Sequence, residues 1–392
     1  MSGTATKPSQ MEKLRPRVVG HPTAPIGMGE HVRSVWRALQ EVGADPVLVD
    51  IYGPQGRADK ELPVEFSSAS SASLGNGVNI FCINGDEVAQ SVTHLRNRNP
   101  FSEGSRNIIY PAWELERYPQ EWAEELNRFD EVWASSKFTR DAIAKAVAIP
   151  VVTLPLACEV ARLALMSRRH FGIRESAYAF FFSFDFLSYI GRKNPFAVIE
   201  AFRQLITKSP YADVILVLKT NNAVRRPEMK KEFDQAIAGM GDRVLIIDGT
   251  LPELEMKALV WLCDCFVSLH RSEGFGFGLA EAMALSKPVI ATNYSGNMEF
   301  CNDDTAYLVP YDLIPVKPNE YPHWQDQNWA DPSVDYAAAI MMRLVDNPRL
   351  GKAIGQKARI NLLRNFSYLS VGMRYAERLN QLAPPENKLR SD

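Results

Sequence analysis

Ser268-Leu-His-Arg-Ser-Glu273-Gly-Phe-Gly-Phe-Gly278-Leu-Ala-Glu281-Ala-Met-Ala284 is the stretch that decides the fold. It overlaps an apolar run, Cys265 to Leu269, that reads as a buried strand, and it leads into a helical pattern starting near Gly278. Strand, glycine-rich turn and helix form the repeating unit of doubly wound α/β domains, which bind ligands beyond the carboxyl ends of their strands. Glycines 274, 276 and 278 let backbone amides come close to a ligand. Amides at the helix start make an anion site suited to a diphosphate. Glu281 lies about one turn into that helix and flanks the anion site. A carboxylate there accepts hydrogen bonds from neutral hydroxyls, such as those of a ribose, and repels phosphate. Glu273 sits at the strand's end, where a sugar can lie. A tight turn carrying two solvated glutamates would look the same locally, and a glycine-rich loop alone does not choose between them.

Outward from this loop the alternation continues. Tyr178 to Phe184, Asp213 to Leu218, Val244 to Ile247 and Pro288 to Ala291 are further strand candidates, with helices such as Pro195 to Ile206 and Leu254 to Leu262 between them. An earlier series comprises Arg17 to Gly20, Pro46 to Asp50, Val78 to Ile83, Asn107 to Tyr110, Glu131 to Ala134 and Pro150 to Leu154. Helical stretches such as Gly29 to Val42 and Pro119 to Phe129 separate most of these. Near-continuous apolar strands alternating with helices predict parallel sheets covered on both faces, an α/β chain of two doubly wound domains facing across a cleft. The polar, arginine-bearing connector Ala157 to Ser176 sets the expected boundary, with domains over 1–165 and 166–365. Two segments fall outside the alternation. Gly53 to Gly77, with the Ser/Ala tract Ser67 to Ser73, reads as a mobile loop. Pro310 to Pro332 carries five prolines with Tyr321, His323, Trp324 and Trp329, and reads as an ordered insertion packed on the second domain.

Composition narrows the function classes. At about 150 residues per domain, 392 residues make two to three domains. The 44 Lys and Arg against 46 Asp and Glu leave a net charge of −2, so no basic field points to nucleic acid. Five cysteines, Cys82, Cys158, Cys263, Cys265 and Cys301, are an odd number in mostly apolar runs, the pattern of buried thiols in a reducing compartment. Met1 to Pro16 is polar and has no apolar core of a secretory signal. The longest uncharged apolar stretch, Ala146 to Cys158, is interrupted by Pro150 and Pro155 and falls short of the roughly 20 residues a spanning helix needs. The expectation is a cytoplasmic chain.

Glu273 and Glu281 have seven residues between them and are followed by Ala282-Met-Ala284 and the strand Lys287-Pro-Val-Ile-Ala-Thr292. This closely resembles the glutamate-x7-glutamate signature of family 4 glycosyltransferases, the glycosyl transferases group 1. The resemblance extends over most of the chain, through the glycine loop at Gly27 and Gly29, Trp113-Glu114, Phe129-Asp-Glu-Val-Trp-Ala-Ser-Ser136, Arg192-Lys-Asn-Pro195 and Ser295-Gly-Asn297. It implies a GT-B fold and a retaining transferase that takes its hexosyl unit from a nucleoside-diphosphate sugar and needs no resident cofactor. It implies Glu281 on the ribose and Glu273 on the donor sugar, with the backbone of Gly274, Phe275, Gly276, Phe277 and Gly278 around the sugar and diphosphate. Lys193 matches the family's phosphate-binding lysine, and Gly27 and Gly29 would face the donor across the cleft. Where the family commonly has an arginine several residues before that lysine, Ser183-Phe-Asp-Phe-Leu-Ser-Tyr189 has none, and Arg192 or Lys219 would stand in. A family histidine is also missing near Tyr110-Pro-Ala-Trp113-Glu114, which leaves Glu114 or Trp113 for its contact. Trp113 fits the core equally well, and Trp122 and Trp133 read as core. His270, beside the glutamate loop, is the one histidine worth testing. Residues 366–392 would carry a helix, Tyr368 to Leu382, returning toward the first domain. The implied acceptor is a saccharide or lipid-linked saccharide in polysaccharide or glycoconjugate synthesis. A lipid-linked acceptor would bring peripheral contact with the inner membrane face through local Arg/Lys and aromatic clusters.

Other classes remain in view. Counted from Gly27, the sixth position of a dinucleotide fingerprint is Val32, not glycine, yet Asp50 ends the next strand where a ribose-binding acid would lie. That is the case for a nicotinamide-dependent oxidoreductase, against a loop broken by Pro22 and Pro25. A non-catalytic scaffold is the third class. No Asp-x-Asp pair occurs to hold a cation on a diphosphate, Cys263-Asp-Cys265 lacks the partners of a zinc site, and no Gly-x-Ser-x-Gly elbow is present, so no metal is expected.

Overall fold

The computed structural model describes residues 15–24, 27–52 and 74–382; the Ser67 to Ser73 tract lies outside them. Strands β1 (Arg17–Gly20), β2 (Val47–Asp50), β3 (Gly77–Phe81), β4 (Ser105–Ile109), β5 (Glu131–Ala134) and β6 (Val151–Thr153) form one sheet. Its order is β2-β1-β3-β4-β5-β6, and every pair is parallel. Strands β7 (Tyr178–Asp185), β8 (Val214–Asn221), β9 (Val244–Asp248), β10 (Cys265–Ser268), β11 (Val289–Thr292) and β12 (Tyr307–Val309) form a second parallel sheet in the order β12-β11-β10-β7-β8-β9. The edge strand β12 is absent from the sequence reading because three residues are too few to show a period.

Burial explains the apolar runs. Along β7, Phe180, Phe182 and Phe184 pack on one face with Val198, Phe202 and Phe233, while Phe181 packs on the other with Phe266. Each fully buried phenylalanine contributes about 1.5–3 kcal/mol. In the second sheet the strand order reverses between β7 and β10, so the loops after these two strands diverge and open a crevice at their carboxyl ends. The loop after β10 is the glutamate loop, and the loop after β7 leads to Arg192 and Lys193.

The helix Tyr368–Leu382 buries Val371, Tyr375 and Leu379, spaced four apart on one face. Tyr375 stacks on Trp133 with ring centroids 5.1 Å apart and donates its hydroxyl to the Pro155 carbonyl at 2.8 Å. Arg378 forks onto Glu131 with Nε at 3.0 and 3.1 Å from the two carboxylate oxygens. The last described helix is thereby fastened to the first sheet.

The 310–332 segment departs from its expected place. It is an antiparallel hairpin of β13 (Tyr311–Pro315) and β14 (Asn328–Pro332), and Val316, Tyr321 and Trp329 join the core cluster around Trp113, Leu115 and Tyr118 of the first domain. The hairpin leaves the end of the second sheet, but its aromatic side chains find their apolar partners across the cleft. From the second domain, Arg271 places its guanidinium 5.5 Å from the Trp329 ring centroid and pairs with Asp331 at 3.1 Å. The segment therefore joins the two domains instead of capping one.

Candidate active site

A cleft of about 680 Å³ lies between the sheets, within the size range of small-molecule sites. Gly276 caps the helix Phe277–Ala284 at φ +97°, a conformation that favours glycine, and turns the chain from the loop into the helix. The loop is clamped from two sides. The Glu273 amide donates to Ser295 Oγ at 2.8 Å, and the Gly296 amide donates to the Glu273 carbonyl at 2.8 Å. A Cβ on Gly296 would run into the Gly274 carbonyl, so the two backbones approach as closely as they do only because the residue is glycine. From the first domain, Ser135 and Ser136 donate to the Gly274 carbonyl at 3.1 and 2.8 Å.

Glu273 is buried between two cations, with Lys193 Nζ at 2.5 Å and Arg192 Nη1 at 3.2 Å. Burial alone would raise its pKa, but Lys193 and Arg192 outweigh it and bring the carboxyl down to about 2. Arg192 is not a solvated charge at a helix start. It is buried, donates to the Ser272 carbonyl at 3.0 Å, and lies 3.9 Å from Glu114. Glu114 in turn accepts the Tyr321 hydroxyl. Glu281 is ion-paired with Lys257, which is buried on the helix Glu253–Leu262. Burial, aided by Glu30 and Glu253, raises Glu281 despite Lys257. Glu30 reaches across from the first domain's helix Gly27–Glu41, where Arg33 holds it at 2.9 Å.

Gly27, Gly274 to Gly278, Lys193, Lys219, Arg192, Glu114, Glu273 and Glu281 all line the cleft. Three expected residues do not serve as read. Gly29 is absent from the lining and packs against the Ala24 carbonyl, with no room for a Cβ. His270 is fully buried behind the loop, within hydrogen-bond reach of Ser268 Oγ (3.0 Å) and Asn297 Oδ1 (2.9 Å). Burial lowers its pKa, and it braces Asn297 without facing the cleft. Lys219 commits its ammonium donors to the Thr220 carbonyl at 2.9 Å, Asn221 Oδ1 at 3.1 Å and the Gly249 carbonyl, so it is not free for a phosphate. Trp113 buries its ring and donates Nε1 to the Arg117 carbonyl at 3.1 Å, a core residue at the cleft wall. Trp133 is core as well, whereas Trp122 lines the cleft. Asp50 accepts from Thr23 at 3.3 Å and the Tyr52 amide at 3.2 Å and is not part of the lining, which removes the ribose-binding acid of the oxidoreductase reading.

The sequence reading missed Lys257 and Tyr321. A lysine inside the otherwise apolar Met256-Lys-Ala-Leu-Val260 is a visible signal for a buried charge seeking a partner. Tyr321 stands out in the sequence only as one of the aromatics of the 310–332 insertion. Among the described residues no group of three or more His, Cys, Asp or Glu side chains is placed to hold a metal ion, and all five cysteines are buried and free. Among the same residues no helix is long and apolar enough to cross a membrane.

Residues 182–312 match the family model described as glycosyl transferases group 1. That match lies within the second domain and covers about a third of the chain. It runs from β7 to β13 and includes both glutamates and Lys193. The chain is 27% identical over 195 residues to trehalose synthase of Pyrococcus horikoshii, a match covering 48% of this chain and 41% of that protein's length. It thus spans about two fifths of that curated relative. The whole architecture is similar to Anabaena HepE, solved in complex with UDP and glucose, with a TM-score of 0.69 and 14% identity over 94% of this chain and 100% of that one. It is also similar to sucrose-phosphate synthase of Thermosynechococcus elongatus, with a TM-score of 0.67 and 14% identity over 94% and 99%. At such identities the likeness concerns the fold, which is GT-B.

Proposed function

We propose that this chain is a retaining glycosyltransferase that moves a hexosyl unit from a nucleoside-diphosphate sugar to a hydroxyl of a saccharide acceptor without a metal ion. The observation that carries the reading is Glu273, kept ionised by Lys193 and Arg192 at the end of β10, beside the start of the helix Phe277–Ala284. HepE, whose fold this chain shares, has been solved with UDP-glucose, which supports a nucleotide-sugar donor. The second domain then binds the donor and the first shapes the acceptor site.

In this reading the diphosphate rests on the helix amides, where the helix dipole is positive, and the ribose hydroxyls donate to Glu281. Glu273 accepts from hydroxyls of the sugar. As the anomeric carbon–oxygen bond breaks, charge grows on the leaving phosphate, and the amides with Lys193 stabilise it in place. That pair of features, with no Asp-x-Asp in the sequence, supports metal independence. A double displacement needs a nucleophile about 3–3.5 Å from the anomeric carbon on the face opposite the leaving group. Glu273, gripped by two cations and with its pKa depressed, is a weak one. The acceptor hydroxyl therefore enters on the face the diphosphate leaves, gives its proton to the departing phosphate oxygen, and forms the new bond with the configuration kept.

For a lipid-linked acceptor, peripheral membrane contact draws support from the exposed Ile360, Leu363, Leu369 and Met373 beside Arg359 and Arg364 on the last two helices. Proton NMR of the new anomeric signal, followed in EDTA with UDP-glucose as donor, tests the mechanism. An α-product formed in EDTA is expected. A β-product from the α-linked donor would refute retention, and activity that returns only with Mn²⁺ would refute metal independence.

A further inference from the structure

The cleft continues past Glu273 along a chain of contacts. Arg192 touches Glu273 and approaches Glu114, Glu114 accepts the Tyr321 hydroxyl, and Tyr321 packs its ring 4.8 Å from that of Tyr189. Beyond the sugar-contacting glutamate, then, the wall becomes aromatic and acidic. Tyr189 is 44% exposed, Trp122 lines the same wall, and Asp86 stands exposed beside them.

Resting on the transferase reading, we propose that Tyr189, Tyr321 and Trp122, together with the carboxylates of Glu114 and Asp86, form an acceptor subsite that takes a neutral saccharide ring and rejects phosphorylated sugars. Pyranose rings present an apolar C–H face and a rim of hydroxyls. Aromatic side chains meet the first, and carboxylates accept hydrogen bonds from the second. A phosphate would sit against two like charges. Of the two arginines whose charge reaches Tyr189, Arg192 is committed to Glu273 and the Ser272 carbonyl, and Arg226 is exposed and outside the lining.

Tyr189 itself is informative. It sits at φ +55°, a left-handed conformation uncommon for a bulky residue, and its carbonyl accepts the amides of Arg192 at 2.9 Å and Lys193 at 3.3 Å. The turn alone would favour glycine. A tyrosine there keeps a ring at the mouth of the cleft that the turn does not require. The hairpin connection that carries Tyr321 is held in place, because Gln327 bonds the Arg117 backbone at 2.7 and 3.1 Å. That hairpin bridges the domains, so Tyr321 is placed by both at once.

The test uses the full chain saturated with UDP and saturation-transfer NMR with maltose and cellobiose against glucose 6-phosphate. A neutral disaccharide should bind at least tenfold more tightly than the phosphorylated sugar. Tyr189→Gly suits the turn, so its unfolding temperature should not fall and its UDP affinity should stay within twofold, while disaccharide affinity drops at least tenfold. Glucose 6-phosphate binding as well as the disaccharides would overturn the proposal. So would unchanged disaccharide affinity in Tyr189→Gly, or no disaccharide signal in protein that binds UDP. Protein that binds no nucleoside diphosphate at all would instead bring down the transferase reading, and this proposal with it.

Discussion

Glu273 and Glu281 are both buried, yet their surroundings set them in opposite directions. Two cations pull Glu273 down to about 2, while Glu30 and Glu253 offset Lys257 and leave Glu281 raised. A depressed carboxylate contributes stability that is present above its unfolded pKa, near 4.3, and lost as pH falls toward 2. The gap corresponds to a contribution on the order of 3 kcal/mol at neutral pH. Urea unfolding of wild type and Glu273→Gln should therefore show a stability difference that shrinks as pH drops from about 5 to about 2; a constant difference would contradict the double ion pair. Glu281→Gln removes a charged acceptor worth about 1.5–3 kcal/mol, so calorimetry should show UDP affinity falling ten- to a hundredfold. Unchanged affinity would take Glu281 out of the site. The spacing of the two glutamates was legible in the sequence because it is local. Their partners were not, since Lys257 and Arg192 reach them only once helices and loops from elsewhere in the chain are packed.

At the scale of elements, the glutamate loop is shaped by neighbours more than by its own glycines. Ser295-Gly-Asn297 grips it from the next loop, and Ser135 and Ser136 grip it from the other domain. Gly296→Ala would push a methyl group into the Gly274 carbonyl. Overpacking of this kind costs about 1–3 kcal/mol, and here it also shifts Glu273. The variant should melt lower and bind UDP more weakly; a variant as stable as wild type would show that the clamp is not tight. Strands were readable from apolar runs because burial on both faces leaves a continuous signature, as in Phe180-Phe-Phe182. The 311–332 hairpin was not. Its prolines and aromatics announce order, but which domain supplies their partners depends on the geometry of the cleft. Gly29 and His270 show the same limit, as nearness in sequence to a functional loop placed neither in the cleft.

For the whole molecule, contacts that cross between the domains set the cleft. The helix Tyr368–Leu382 leaves the second domain and binds the first through Arg378 and Glu131, the latter 1% exposed. Arg378→Ala leaves Glu131 with the Trp133 indole at 2.7 Å as its remaining side-chain partner. Breaking a fully buried pair costs about 3–5 kcal/mol, and the partial exposure of Arg378 reduces this to about 2, enough for a clear drop in unfolding temperature. An unchanged melting curve would show that the helix is not fastened there. The central claim is that the cleft binds a nucleoside-diphosphate sugar, and its most direct test is thermal unfolding in EDTA with UDP, GDP, ADP, NAD or NADP in turn. A ligand at 100 times its dissociation constant stabilises the folded chain by about 2.7 kcal/mol. The account predicts that at least one nucleoside diphosphate protects the chain without metal and that neither nicotinamide dinucleotide does; protection by NAD or NADP alone would contradict it.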